Sequence, residues 1–306
     1  MNLLDFLVKR YGNTLVNSWI PFWCFTPVRR IIRFISSYIL PRYLNKPNVY
    51  SPKNYTDIIV SFTSFPARID EVWQVVECMF RQSYQPKKII LWLSQEQFPN
   101  EEDIPMSLRK RVNNIFQIRM VSGDIRSHKK YYYVVKEYPN SLILLIDDDL
   151  YYPTDMIEQL VKLREDNNGA VVCRYGSKIK YNNGEIQPYS TWDRVTTNSS
   201  SLRLFFGSGG GTLFKPSQLY RDLTNLELSL KMTPIADDIW LNAMLRLAGT
   251  SLIMLKPRAL LSVRSKGTNQ TLCSENINEG RNDQQIYNVR SYYKKNLNID
   301  PFAEVL

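Results

Sequence analysis

Leu142-Ile143-Leu144-Leu145-Ile146-Asp147-Asp148-Asp149 decides the reading of this chain. Five consecutive apolar residues, too few for an ordinary helix, spell a strand buried on both faces, as in a parallel sheet. Three carboxylates follow without a spacer. Adjacent like charges repel, so this run is stable at a strand end only if solvated or neutralised. A divalent cation held by one or two of them would neutralise it. Hard oxygen ligands suit Mn2+ or Mg2+, with a substrate diphosphate completing the shell.

The flanking sequence repeats the alternation of strand and helix. Upstream, Ile58–Val60, Ile89–Leu93 and Ile118–Val121 read as strands. Between them, Asp70 is placed to cap a helix whose apolar positions are Val72, Trp73, Val76, Met79 and Phe80. Residues 105–115 and 129–137 read as further helices. Downstream, Met156, Ile157, Leu160 and Val161 mark a helix, Ala170–Cys173 a strand, and Asn183-Gly184 a tight hairpin. A polar, Gly/Ser-rich loop is expected over 189–211, a helix from about Asp238, a strand over Ser251–Leu255 and a helix over 279–295. The pattern predicts an α/β fold, a mostly parallel central sheet with helices on both faces, whose ligands gather at the carboxyl ends of the strands.

Composition narrows the class. The 306 residues are 44% hydrophobic and 22% charged, enough for a sizeable core. The net charge is +10, but residues 1–50 hold seven bases (Lys9, Arg10, Arg29, Arg30, Arg33, Arg42, Lys46) against one acid, Asp5. The rest is only mildly basic, which argues against a nucleic-acid surface. The chain therefore divides into a basic, aromatic N-terminal appendage, 1–50, and a catalytic domain, 51–306. Apolar residues around Ile31–Leu40 are interleaved with arginines, and Trp19, Phe22, Trp23 and Phe25 surround Pro21. Two readings stand: helices lying on an anionic membrane surface, or helices packed on the catalytic domain. No segment reaches the ~20 apolar residues of a transmembrane helix, and no signal-peptide pattern is recognised. The four cysteines (Cys24, Cys78, Cys173, Cys273) lack metal-site spacing, and Cys78 and Cys173 read as buried thiols. The expected location is cytoplasmic, or peripheral on the inner face of the plasma membrane.

Leu144–Asp149 resembles the strand and DxD motif of GT-A glycosyltransferases. Ile59-Val60-Ser61-Phe62-Thr63-Ser64-Phe65-Pro66 resembles the nucleotide-binding opening of family 2-like members, of the bacterial surface-polysaccharide type. Arg68 matches a basic residue that follows this strand in some relatives, including exostosin-like enzymes. Asp237-Asp238 resembles the late acidic pair on the acceptor side. The resemblance covers roughly 57–290 and implies a GT-A fold. It implies transfer of a sugar, of the hexosyl or N-acetylhexosaminyl class, from a nucleotide-sugar donor, UDP-linked by expectation, to a saccharide or lipid-linked acceptor.

By that resemblance Thr63, Ser64 and Arg68 meet the nucleoside, although Thr63 and Ser64 also suit an ordinary turn. Asp124 would accept from uracil or ribose, Lys129 or Lys130 would meet the diphosphate, and Asp148 would complete the donor side. Gly209-Gly210-Gly211 permits close approach of the acceptor. Trp192 offers either a stacking platform or core or loop packing. Asp238 is the candidate general base, with Asp237 as its rival, and an Asp here also serves as an N-cap. In relatives that retain anomeric configuration this carboxylate plays another part. Many relatives add a late His or Asp ligand to the metal, and Leu261–Arg264 offers no histidine. His128, the single histidine, reads as structural or solvent-facing.

Two other classes compete. A sugar-1-phosphate nucleotidyltransferase would carry a Gly-rich phosphate loop after the first strand, and Phe62-Thr63-Ser64-Phe65-Pro66 has no glycine. A non-catalytic carbohydrate-binding protein would have no need of both acidic clusters.

Overall fold

The structure, a computed structural model, describes residues 2–14, 25–47, 54–195, 199–201, 203–256, 259–264 and 280–304. Seven strands build the central sheet: β1 (Ile59–Thr63), β2 (Lys88–Ser94), β3 (Phe116–Val121), β4 (Ile143–Leu145), β5 (Val171–Cys173), β6 (Thr212–Phe214) and β7 (Leu252–Met254). Their spatial order is β7-β5-β6-β4-β1-β2-β3, and the short strand Ser199–Ser200 adds to the β7 edge. All seven run the same way except β6, which is antiparallel to both β4 and β5. The register pairs Ser61 with Leu145 and Thr63 with Trp92, so β1 and β4 end side by side.

Successive strand residues feed two separate cores, because side chains alternate across a sheet. Ile59, Ile90, Ile143, Leu145 and Val171 enter one, and Val60, Phe62, Leu91, Leu144 and Val172 the other. Each face is covered by helices, which is why the strands are apolar throughout. The longer helices are α1 (Leu3–Asn13), α2 (Thr26–Leu44), α3 (Trp73–Phe80), α4 (Lys129–Glu137), α5 (Met156–Glu165), α6 (Asp237–Leu247) and α7 (Arg281–Leu297). Residues of α4, α6 and α7 close the first core, and those of α1, α2, α3 and α5 the second. Cys78 and Cys173 are buried, and burial pushes the Cys78 thiol up to about 12. Cys24 and Cys273 lie outside the described residues.

Several expectations are corrected. The helix over 105–115 shrinks to Met106–Arg109, because the Asn113 side chain accepts from the amides of Ile115 and Phe116, both at 2.8 Å, and turns the chain into β3. Asp70 does not cap α3. It sits inside a 3-10 turn, Ile69–Glu71, that leads into the helix. The 189–211 region is not all loop: Leu204–Phe206 is a buried strand paired with Gly176–Lys178.

The N-terminal segment is woven into the second core. Leu4, Leu7, Val8 and Tyr11 of α1 and Leu40 and Leu44 of α2 are buried with the sheet residues. The Asp5 carboxylate accepts from the Thr154 amide (2.8 Å) and hydroxyl (2.7 Å), and Lys9 pairs with Asp155 at 2.8 Å. Helix α1 therefore grips the chain just past the acidic run. Trp19, Phe22 and Trp23 lie outside the described residues.

Candidate active site

The acidic run leaves the carboxyl end of β4 and turns at once, and its three side chains diverge. Asp148 points inward. Its carboxylate accepts from the Ser64 hydroxyl at 2.5 Å and from Arg68 Nη1 at 3.0 Å. Arg68 also stands 2.9 Å from Asp149 Oδ2. Asp147 faces the other way, and its Oδ1 lies 3.0 Å from Lys130 Nζ. The Asp147 and Asp149 side chains stay 41% and 29% exposed, whereas that of Asp148 is nearly sealed. The outer two carboxylates thus face solvent while the middle one anchors the turn.

Lys130, on the first turn of α4, joins this run to the late acidic pair. Its ammonium is 3.1 Å from Asp237 Oδ2 as well as 3.0 Å from Asp147. Burial works against the charged form of Lys130, but Asp147, Asp237 and Asp238 outweigh it and hold the group well above the usual lysine value. Asp237 and Asp238 begin α6 without capping it by side-chain hydrogen bond. Instead the Ser208 hydroxyl lies within reach of both carboxylates, 3.0 Å from Asp237 Oδ2 and closer to Asp238, and the Ser208 amide donates to Asp238 at 2.9 Å. Burial and the neighbouring Asp237 push the Asp238 carboxyl up to about 6, and burial with Asp147 and Asp148 pushes Asp149 up to about 7.

The glycine run is shaped by this contact. A Cβ at Gly209 would fall 1.7 Å from Asp147 Oδ2, and one at Gly210 2.3 Å from Tyr175 Cβ. Gly211 has φ +104°, which side chains rarely adopt. The Asp147 amide donates to the Gly209 carbonyl (3.1 Å) and to the Tyr152 hydroxyl (2.8 Å), and Tyr152 donates in turn to that carbonyl. The antiparallel β6 makes this possible, because it begins beside the end of β4, with Thr212 opposite Leu145. The segment Leu261–Ser262 pairs with Leu150–Tyr151, and the Val263 amide donates to the Asp149 carbonyl at 2.7 Å.

Among the expected residues, the structure assembles Asp147, Asp148, Asp149, Ser64, Arg68, Lys130, Asp237, Asp238 and Gly209. Others stand apart. Thr63 donates its hydroxyl to the Trp92 carbonyl at 2.7 Å and stitches β1 to β2. Lys129 is buried against Asp124, which also accepts from Gln97 (2.8 Å) and the Arg126 amide (2.9 Å), so these two residues form their own cluster past β3. Of the two readings of Trp192, packing in the core is the one found. It is 7% exposed, gives its indole N–H to the Gln187 carbonyl and packs edge-on against Phe205. His128 is structural. It is fully buried between the Tyr131 hydroxyl (3.0 Å) and the Thr233 carbonyl (2.6 Å), and burial lowers its pKa. Ser208 and Tyr152 also belong to the assembled cluster and have no distinct sequence signal: Ser208 adjoins a glycine run, and nothing in Leu150-Tyr151-Tyr152 marks a site residue.

Among the described residues, no three His, Cys, Asp or Glu side chains converge as a metal cluster. The donor set still fits Mn2+ or Mg2+: Asp147 and Asp149 present oxygen ligands to solvent, and their mutual repulsion is what a cation would relieve. With two carboxylates from the protein, the rest of such an ion's shell would have to come from substrate and water.

No family model matches the sequence, and no curated protein matches it. Solved structures do match. TarS of S. aureus (residues 1–349) in complex with UDP-GlcNAc is 11% identical over 81% of this chain and 73% of that one, with a TM-score of 0.44. The mannosyltransferase PcManGT from Pyrobaculum calidifontis, in complex with GDP-Man and Mn2+, is 13% identical over 98% and 79%, with a TM-score of 0.44. An apo UDP-glucose pyrophosphorylase is 11% identical over 81% and 100%, with a TM-score of 0.39. At these identities and TM-scores the matches transfer no residue's role.

Proposed function

We propose that this chain is a glycosyltransferase that moves a sugar from a nucleoside diphosphate to a saccharide or lipid-linked acceptor with the help of Mn2+ or Mg2+. One observation carries the reading. Asp147, after the central strand, and Asp237, at the start of α6, meet on a single buried lysine, Lys130, at the carboxyl end of the sheet. That edge is where ligands of parallel sheets bind.

Asp147 and Asp149 would hold the metal ion. When bound, it offsets the charge that develops on a departing nucleoside diphosphate. Arg68 and Lys130 add fixed positive charge beside the same groups, placed before the reaction begins. Ser64 and Arg68 hold Asp148, so the turn that carries the two outer carboxylates stays rigid. Asp238 takes the proton of the acceptor hydroxyl. Its raised pKa suits a base, which works best near the operating pH, whereas Asp237 is committed to an ion pair with Lys130. Gly209 and Gly210 let bare backbone close on Asp147 and on Tyr175, which fill the space their side chains would take, and so fix where the Asp147 carboxylate stands.

Incubation with a panel of nucleotide sugars and Mn2+ tests the reading. Release of nucleoside diphosphate, accelerated by an acceptor and abolished by EDTA, is the expected outcome. Release of pyrophosphate from a sugar-1-phosphate and a nucleoside triphosphate would indicate a nucleotidyltransferase instead. No turnover of either kind would leave a binding protein.

A further inference from the structure

Helix α2 is attached on one side only. Ser36, Leu40 and Leu44 are buried, at a spacing of four that marks one helical face. Arg81 Nη2 donates to the carbonyls of Leu44 (3.0 Å) and Lys46 (2.8 Å), and Arg29 and Arg33 bond to Thr14 and to the Tyr11 hydroxyl. The opposite side carries Val28, Ile31, Phe34, Ile35, Tyr38 and Ile39, all exposed, with Ile31 at 58% and Phe34 at 63%. Steps of three and four residues place them in one stripe. Arg30 borders the stripe and Arg42 lies at its carboxyl end, both exposed, and the helix contains no acidic residue.

A continuous apolar stripe in water is unfavourable and marks a contact surface. Its charge decides the occupant. A second copy docked through the same patch would set this all-basic surface against itself. An anionic bilayer supplies both an apolar layer and opposite charge. No described helix is long and apolar enough to cross a membrane, so α2 would lie in the interfacial plane.

We propose that the outer face of α2 docks on a bilayer containing anionic phospholipid, the stripe entering the headgroup–acyl boundary and Arg30, Arg42 and Lys46 meeting phosphates. This surface stands independently of the proposed transfer reaction, and its test does not read activity. Because α1 and α2 belong to the core, point variants of the full chain are needed rather than a truncation. In vesicle flotation the native chain should partition to phosphatidylglycerol-containing vesicles, weakly to phosphatidylcholine alone, and less in high salt. Ile31→Asp with Phe34→Asp should lower partitioning more than about tenfold while leaving the thermal midpoint and circular dichroism unchanged. Arg30→Gln with Arg42→Gln should remove much of the salt dependence. Equal flotation of the Asp variant would overturn the proposal. So would a native chain that ignores both vesicle types and instead sediments as a dimer that this variant abolishes.

Discussion

Gly209 and Asp147 occupy what would otherwise be the same space: a Cβ on the glycine would overlap the aspartate's carboxylate, 1.7 Å from Oδ2. The atom in the way is the end of a flexible side chain and not backbone. Gly209→Ala should therefore cost little stability, less than about 2 kcal/mol, because Asp147 can swing aside. It should cost much activity, on the order of a hundredfold, because the displaced carboxylate no longer meets the metal and diphosphate. Denaturant titration and initial rates on one preparation separate the two effects. Equal losses of stability and activity would show that the glycine serves only the fold.

Lys130 predicts the opposite pattern. It is buried and neutralises Asp237, whose side chain is 7% exposed. Lys130→Met leaves that carboxylate buried and unpaired, which should destabilise the fold by roughly 3–5 kcal/mol. Adding Asp237→Asn should recover a large part of this, since the orphaned charge is gone. A double-mutant cycle by urea unfolding measures the coupling. Additive losses would mean that Lys130 is not coupled to Asp237.

Much of this arrangement is legible in the sequence. The strand before Asp147 and the helix over 129–137 are found where periodicity puts them, since each buries a regular apolar face. The pairings within the site are not legible. Lys129 and Lys130 are identical neighbours in sequence, yet successive residues on a helix point about 100° apart, and one meets Asp124 while the other meets Asp147. Ser208 acquires its role only because β6 runs antiparallel and delivers the glycine turn to the acidic strand end. Trp192 reads as a loop aromatic until Leu204–Phe206 appears as a strand and places Phe205 against it. The short helix at Met106–Arg109 fails for a local reason, the competing hydrogen bonds of Asn113.

Asp238 sets a pH dependence. Burial and the charge of Asp237 raise its carboxyl to about 6, and a general base must be deprotonated. At saturating Mn2+, which would hold Asp149 ionised, turnover should hold above that value and fall as pH drops through it, with the acid limb absent in Asp238→Asn, whose residual rate should be lower by orders of magnitude. Ser208 donates to this carboxylate and stabilises its charged form. Ser208→Ala should move the acid limb to higher pH. A profile unchanged in Ser208→Ala and Asp238→Asn would assign the base elsewhere.

The claim that these carboxylates serve a metal-bound nucleoside diphosphate is tested most directly by calorimetric titration. UDP, GDP, CDP and dTDP would each be titrated into the native chain in Mn2+ and in EDTA, and into Asp149→Ala in Mn2+. One nucleotide should bind in Mn2+ with an affinity that falls at least about tenfold in EDTA and in the variant, a loss of about 1.4 kcal/mol or more. Binding that is indifferent to both changes, or no binding of any nucleoside diphosphate, would contradict it.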